Sequence, residues 1–209
     1  MFPHKKKVQN LMSNPKATVE FTFTDPTDAL VRLLLLGPLA ADEKNLSFLY
    51  REGGTHYADF HDGARMQRIC QEMPEGAAPL TSVLFFDEIN LDQKGYTTGD
   101  GVLLMGGFFT RKARESLFAK YSLGTLPAIP VTTVNSKRAV YVRFVREMRA
   151  RCHAAIMACY TSFNNAGGAI LKLQYGQYMY FPRAVILAIY ADFPAGLFVY
   201  CVLIGYTLL

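Results

Sequence analysis

No two cysteines in this chain stand at Cys-x-x-Cys spacing, and none has a histidine nearby at zinc-finger spacing, so a structural zinc site is not expected. The cysteines are Cys70, Cys152, Cys159 and Cys201; Cys152 and Cys159 share one face of any helix through them, which suits packed thiols in a reducing compartment. A secretory leader is not expected either, because MFPHKKKVQNLMSNPK is polar and basic and contains no apolar core. There is no internal repeat and no low-complexity tract, which argues against solenoids and compositionally disordered chains. Charge of either sign is scarce in excess: 22 Lys+Arg against 17 Asp+Glu leaves +5 over 209 residues. That is compatible with an anionic partner and does not demand one. Acids run out altogether after Asp192.

What is present centres on Thr81–Asp92, TSVLFFDEINLD. Thr81 to Phe86 is β-branched, aromatic and apolar, then meets Asp87 and Glu88, the pattern of a strand buried on both faces and closed by turn residues. A carboxylate at the carboxyl end of such a strand stands where open α/β sheets place their ligands. Asp192 has a matching setting, after the apolar run Arg183–Tyr190 and Ala191. Asp87 and Asp192 are therefore read as two carboxylates of one metal site. Asp87 as a mere turn residue is the simpler reading of the spacing alone.

Residues 1–19 read as a flexible basic arm, with His4–Lys7 as a weak cationic patch. Residues 20–77 read as a mainly helical segment. Asp25 is an N-cap with Pro26 at the first helical position, Leu30, Leu33, Leu34 and Leu36 form the apolar face, and Gly37-Pro38 ends the helix. A weaker helix is expected over Asp42–Leu49. His56, Asp59, His61 and Asp62 match no ligand spacing and read as a solvated surface leading into a helix.

After the central strand, Gln93–Gly101 reads as a hairpin connection, Val102–Thr110 and Ser116–Leu126 as strands, and Arg111, Lys112 and Arg114 as the turn between them. A long helix is expected over Val134–Phe163, with Val140, Phe144, Met148, Cys152 and Ile156 in one apolar stripe. Much of its remaining surface is basic: Lys137, Arg138, Arg143, Arg146, Arg149 and Arg151, relieved by Glu147. Such a run is ordinarily a solvated face; its lack of acid partners makes Lys137, Arg138, Arg143, Arg146 and Arg149 candidate nucleic-acid contacts. A short hairpin about Gly176 and the strand Arg183–Tyr190 follow.

Taken in order, these segments resemble the transposases of Plavaka-type mobile elements, a eukaryotic cut-and-paste group. Phe23, Asp25-Pro26 and Leu30–Pro38 look like that family's opening segment, and Met73-Pro74-Glu75-Gly76-Ala77 like its Leu-Pro-Glu-Gly-Ala. Val83–Asp87 is similar to its apolar strand ending in Ser-Asp, and Thr110–Pro127 to its basic turn and following strand. Tyr180-Phe181-Pro182 through Ala191-Asp192-Phe193-Pro194 is similar to its Phe-Pro strand ending in Ala-Asp-Tyr-Pro-Glu. The likeness spans roughly residues 20–200, with departures: Ala195 replaces that last Glu, and Tyr175-Gly176 stands where the family has Asp-Gly.

The resemblance implies a ribonuclease-H-like mixed sheet: three antiparallel strands, a long helix, a hairpin and a fourth strand beside the first. On that reading residues 78–209 are a partial catalytic domain, incomplete at its C-terminal end. It further implies DNA as substrate, Mg²⁺ or Mn²⁺ held by Asp87 and Asp192, a nuclear location and a homo-oligomer as a possible assembly. Without a third acid after Asp192, the chain is expected to be inactive in DNA cleavage.

Two other classes compete. Residues 184–209 carry one charge and are long enough to span a bilayer, so a C-terminal membrane anchor is the alternative. Asp192 and Pro194 near its middle oppose that and favour strands about a turn. A non-catalytic nucleic-acid-binding module would rest on the basic helix alone.

Overall fold

The computed structural model describes residues 4–8, 19–48, 63–90, 98–126 and 139–191. These form an α/β fold around a mixed six-stranded sheet, with a separate two-stranded hairpin. The strands are β1 (His4–Val8), β2 (Val19–Phe23), β3 (Leu80–Asn90), β4 (Thr98–Gly106), β5 (Lys120–Thr125), β6 (Ala169–Lys172), β7 (Tyr178–Phe181) and β8 (Ala184–Ala191). The helices are α1 (Pro26–Leu35), α2 (Ala64–Gln71), the single turn α3 (Arg111–Arg114) and α4 (Ala139–Asn165). The large sheet runs β1-β2-β5-β4-β3-β8, and β6 pairs with β7.

Within the sheet, β3, β4 and β5 pair antiparallel in sequence order, as their short connections require. β8 then returns parallel to β3, and α4 lies in the connection between β5 and β8. Strand, strand, strand, helix, hairpin, strand is the order the sequence predicts.

Local chemistry explains where α1 starts and stops. Asp25 Oδ1 accepts from Thr27 N at 2.8 Å, from Thr27 Oγ1 at 2.7 Å and from Asp28 N at 3.4 Å, with Pro26 at the first position. At the other end, Gln174 Nε2 donates to the Leu34 carbonyl at 3.2 Å and the Gly37 carbonyl at 2.8 Å, supplying partners that the helix end lacks.

On α4, Met148, Cys152, Ile156 and Cys159 are buried, with Phe144 and Phe163 packed against the same core. That is the stripe its apolar periodicity predicts. His153, Met157 and Tyr160 are buried as well, so the inward face is wider than the stripe. Burial pushes the Cys152 thiol up to about 12, which keeps it protonated and unreactive. Tyr160 and Ser82 share a hydrogen bond of 2.9 Å that ties α4 to β3.

Several expectations change. His4–Val8, read as part of a loose arm, is an edge strand paired with β2 from His4↔Phe23 to Val8↔Val19. The buried cluster runs from Phe21 through Phe48 to Leu80 and beyond, so residues 20–48 share one core with the sheet. The helix expected over Asp42–Leu49 is replaced by two 3₁₀ turns, Pro38–Ala41 and Glu43–Asn45, followed by a bridge from Leu46 to Phe109. The strand expected over Ser116–Leu126 begins at Lys120, because α3 and a 3₁₀ turn occupy the residues before it. His56, Asp59, His61 and Asp62 lie outside the described residues. Ala184–Ala191, the first part of the candidate membrane anchor, is strand, and no helix among the described residues is long and apolar enough to cross a membrane.

Candidate functional site

Asp87 does not end its strand. β3 continues to Asn90 because the chain from Thr98 to Gly101 pairs with it, through Asp87↔Gly101, Glu88↔Asp100, Ile89↔Gly99 and Asn90↔Thr98. The acidic pair reads as a turn from composition, yet the ladder supplies backbone partners across it. On its other side β3 pairs with β8 only as far as Phe86↔Ala191 within the described residues. Asp87, the next residue of β3, is exposed. Asp192 lies outside the described residues, so its distance from Asp87 is not part of this geometry.

Alternation along β3 sets which face Asp87 occupies. Ser82 and Phe86 face α4: Ser82 bonds Tyr160, and the Phe86 ring lies 4.4 Å from the imidazole of His153, centroid to centroid. Phe85 and Asp87 therefore belong to the opposite face. There Phe85 stacks on Tyr190 of β8 at 5.2 Å and pairs across the ladder with Leu103. Tyr190 is 50% exposed and Leu103 40% exposed, so Asp87 borders an open apolar and aromatic floor. Toward the start of β3 the same face closes over, with Thr81 buried and Arg65 of α2 reaching the Leu187 carbonyl at 3.4 Å.

The basic helix divides into unlike positions. Arg143 and Arg146 are exposed, and Lys137 and Arg138 lie outside the described residues. Arg149 is only half-buried but is held by Asp100, with Nε to Oδ2 at 2.6 Å and NH2 to Oδ1 at 3.0 Å. A guanidinium gripped by two carboxylate oxygens ties α4 to β4, a structural role beside its reading as a nucleic-acid contact. Sequence gives no signal for this pair because its members lie 49 positions apart. Arg149→Ala is expected to cost about 1.5–3 kcal/mol in urea unfolding, the range for a charge-assisted bond. The exposed Arg143→Ala should cost less; equal losses would show that the Asp100 pair contributes nothing to stability. Arg114 is likewise structural: it is buried and donates to the Phe109 carbonyl at 2.6 Å.

Among the described residues, one group of potential metal-ligating atoms comes together: His4, Asp25 and Asp28, within 4.8 Å of one another. It is unlike the His, Asp and acid sets that the sequence draws attention to, and it forms because β1 pairing lays His4 over Phe23. Burial, then the neighbouring Asp25 charge, raises the Asp28 carboxyl above its ordinary value. The arrangement is accounted for by the helix cap: Asp25 Oδ1 is taken by Thr27 and Asp28, and Oδ2 lies 3.7 Å from His4 Nε2.

The buried His153 was not evident from the sequence, where it falls between a cysteine and two alanines. It is 2% exposed, and neither ring nitrogen has a hydrogen-bond partner. Burial, followed by the Arg149 charge, lowers it to about 4, so the imidazole is neutral at pH 7.

Compared with protein families, with curated proteins and with solved structures, the chain finds no match.

Proposed function

We propose that this chain is a transposase-like protein of a mobile element, related to metal-dependent DNA strand cleavage, with Asp87 and Asp192 as its carboxylates. The observation that carries the reading is the parallel register of β3 and β8. Its last described pair is Phe86↔Ala191, and the next residue of each segment in sequence is an acid, Asp87 and Asp192. The order β5-β4-β3-β8, with three antiparallel strands and a parallel fourth after a helix, supports a ribonuclease-H-like core. β1 and β2 extend that core at the far edge.

The donor chemistry fits a hard divalent cation. Carboxylate oxygens suit Mg²⁺ or Mn²⁺, and exposed Asp87 stands opposite Gly101, which has no side chain to compete for the space. Paired divalent ions, roughly 3.5–4 Å apart, supply this chemistry by clamping the attacking and leaving oxygens of a phosphodiester. The protein's own part is to fix Asp87 on a strand paired through Asn90 and to leave its sheet face open to a substrate. DNA in the nucleus is the partner this reading requires, with Arg143 and Arg146 among the candidate phosphate contacts.

The test is manganese binding, read by electron paramagnetic resonance, on the unmodified chain and on Asp87→Asn and Asp192→Asn. Weak binding lost in both variants is the expected result; binding indifferent to both removes the site. Two acids provide too few ligands for a two-ion mechanism, so supercoiled DNA with manganese should remain intact. Nicking that vanishes in Asp87→Asn would show instead that the acid set is complete.

A further inference from the structure

We infer that the outward face of the β6–β7 hairpin is a docking surface for single-stranded nucleic acid. This rests on the proposed function for its class of partner, but on different residues. The hairpin register is Ala169↔Phe181, Ile170↔Tyr180, Leu171↔Met179 and Lys172↔Tyr178. Its inward face is ordinary core: Phe181 is fully buried against Phe48, and Leu171 and Met179 pack on the same cluster. An antiparallel pair with one buried face ordinarily presents polar side chains on the other. Here the outward positions are Ile170, Lys172, Tyr178 and Tyr180.

Ile170 is 69% exposed and Tyr178 67% exposed, although half-buried sites at Leu171 and Met179 lie one position away on the same strands. Lys172 Nζ sits 5.7 Å from the centre of the Tyr178 ring. Tyr180 is half-buried, and its hydroxyl donates to the Gly167 carbonyl at 3.0 Å, which fixes the ring at the base of the hairpin. Two tyrosines two residues apart on a strand are separated by about 6.8 Å, close to the span of one nucleotide in an extended backbone.

Charge decides which partner suits this face. From Met148 to Ala191 the chain contains no Asp or Glu, so neither the hairpin nor its flanking segments present an acid of their own. Of the acids that the fold brings near, Glu72 at the end of α2 is paired with Arg183 at 2.8 Å, and Glu43 lies toward Tyr175 in the hairpin turn, where burial and then the Glu43 charge raise the tyrosine pKa. Lys172 is then positioned to meet a phosphate while the rings accept bases, the combination that binds single strands without reading sequence. One isoleucine and two rings make too small an apolar face to anchor in lipid.

The experiment measures fluorescence anisotropy of labelled oligothymidylate, the matching duplex, and anionic phosphatidylserine vesicles as a separate arm. Tyr178→Ala should weaken single-strand binding roughly tenfold, Tyr178→Phe should restore it, and duplex binding should be little changed. Lys172→Gln should reduce the dependence of log affinity on log salt by about 0.7. Thermal melts of the variants check that this exposed substitution leaves the fold intact. The inference is overturned if the single strand does not bind, if Tyr178→Ala binds it like the parent, or if vesicle binding is what the variant loses. Manganese binding at Asp87, measured on the same Tyr178→Ala protein, separates the two proposals. Its presence with unaltered oligonucleotide binding sinks the hairpin alone, and its absence with ring-dependent binding sinks the metal site alone.

Discussion

Lowering the pH from 7.5 to 4.5 should destabilise the parent protein by about 2–3 kcal/mol more than a His153→Phe variant. The cause is the position of His153 on the inward face of α4, against Phe86 and without a partner for either ring nitrogen. Its folded-state pKa is lowered to about 4 from an ordinary 6.5, by burial first and by the Arg149 charge second. The unfolded chain therefore binds the extra proton between those two values. Stability from the neutral imidazole is complete above about 6.5 and drains away as the pH falls toward 4. Phenylalanine cannot charge, so its stability should lack this component. It also removes two unsatisfied polar atoms, and at pH 7.5 the substitution should be neutral or stabilising provided the larger ring fits. Urea unfolding of both proteins at the two pH values provides the measurement. Parallel losses would mean that His153 is not held neutral in the fold.

Replacing Gly168 with alanine should cost about 2–5 kcal/mol, combining left-handed backbone strain with a steric clash. Gly168 has φ of +76°, and a Cβ there would collide with the Phe181 carbonyl oxygen and lie 2.6 Å from Pro182 Cα. This is the turn by which α4 hands the chain to β6, where Gly168 N donates to the Phe163 carbonyl at 3.1 Å. Gly167 is an internal control. Its φ is +81°, but a Cβ there meets nothing within 4 Å. Gly167→Ala should therefore show the backbone cost alone, about 1–2 kcal/mol. Denaturation midpoints separate the two; equal losses would show that crowding by the hairpin contributes nothing.

Local signals were legible in the sequence wherever one face of one element decided the outcome. The Asp25-Pro26 start of α1, the α4 stripe of Met148, Cys152 and Ile156, and the hairpin about Gly176 all follow from caps, periods and turns within a few residues. So does the order of three strands, a helix, a hairpin and a last strand. The ends of elements were less legible. Glycines at 99 and 101 read as a break, yet they belong to β4 because β3 offers them a complete ladder.

The candidate site was half legible. Sequence marked Asp87 as an acid after a buried strand; the pairing of β3 with both β4 and β8 decided that it lies within a strand, on the face away from α4. Sequence alone determined the start of α1, the apolar stripe of α4 and the order of the elements from β3 to β8, because helix and strand periods, caps and turns are written within short windows. Tertiary structure alone decided that Arg149 belongs to Asp100, that His153 is buried, that His4–Val8 joins the sheet and that Ile170 and Tyr178 face outward. Each of these depends on a partner far along the chain, and no local pattern specifies which distant residue will lie opposite.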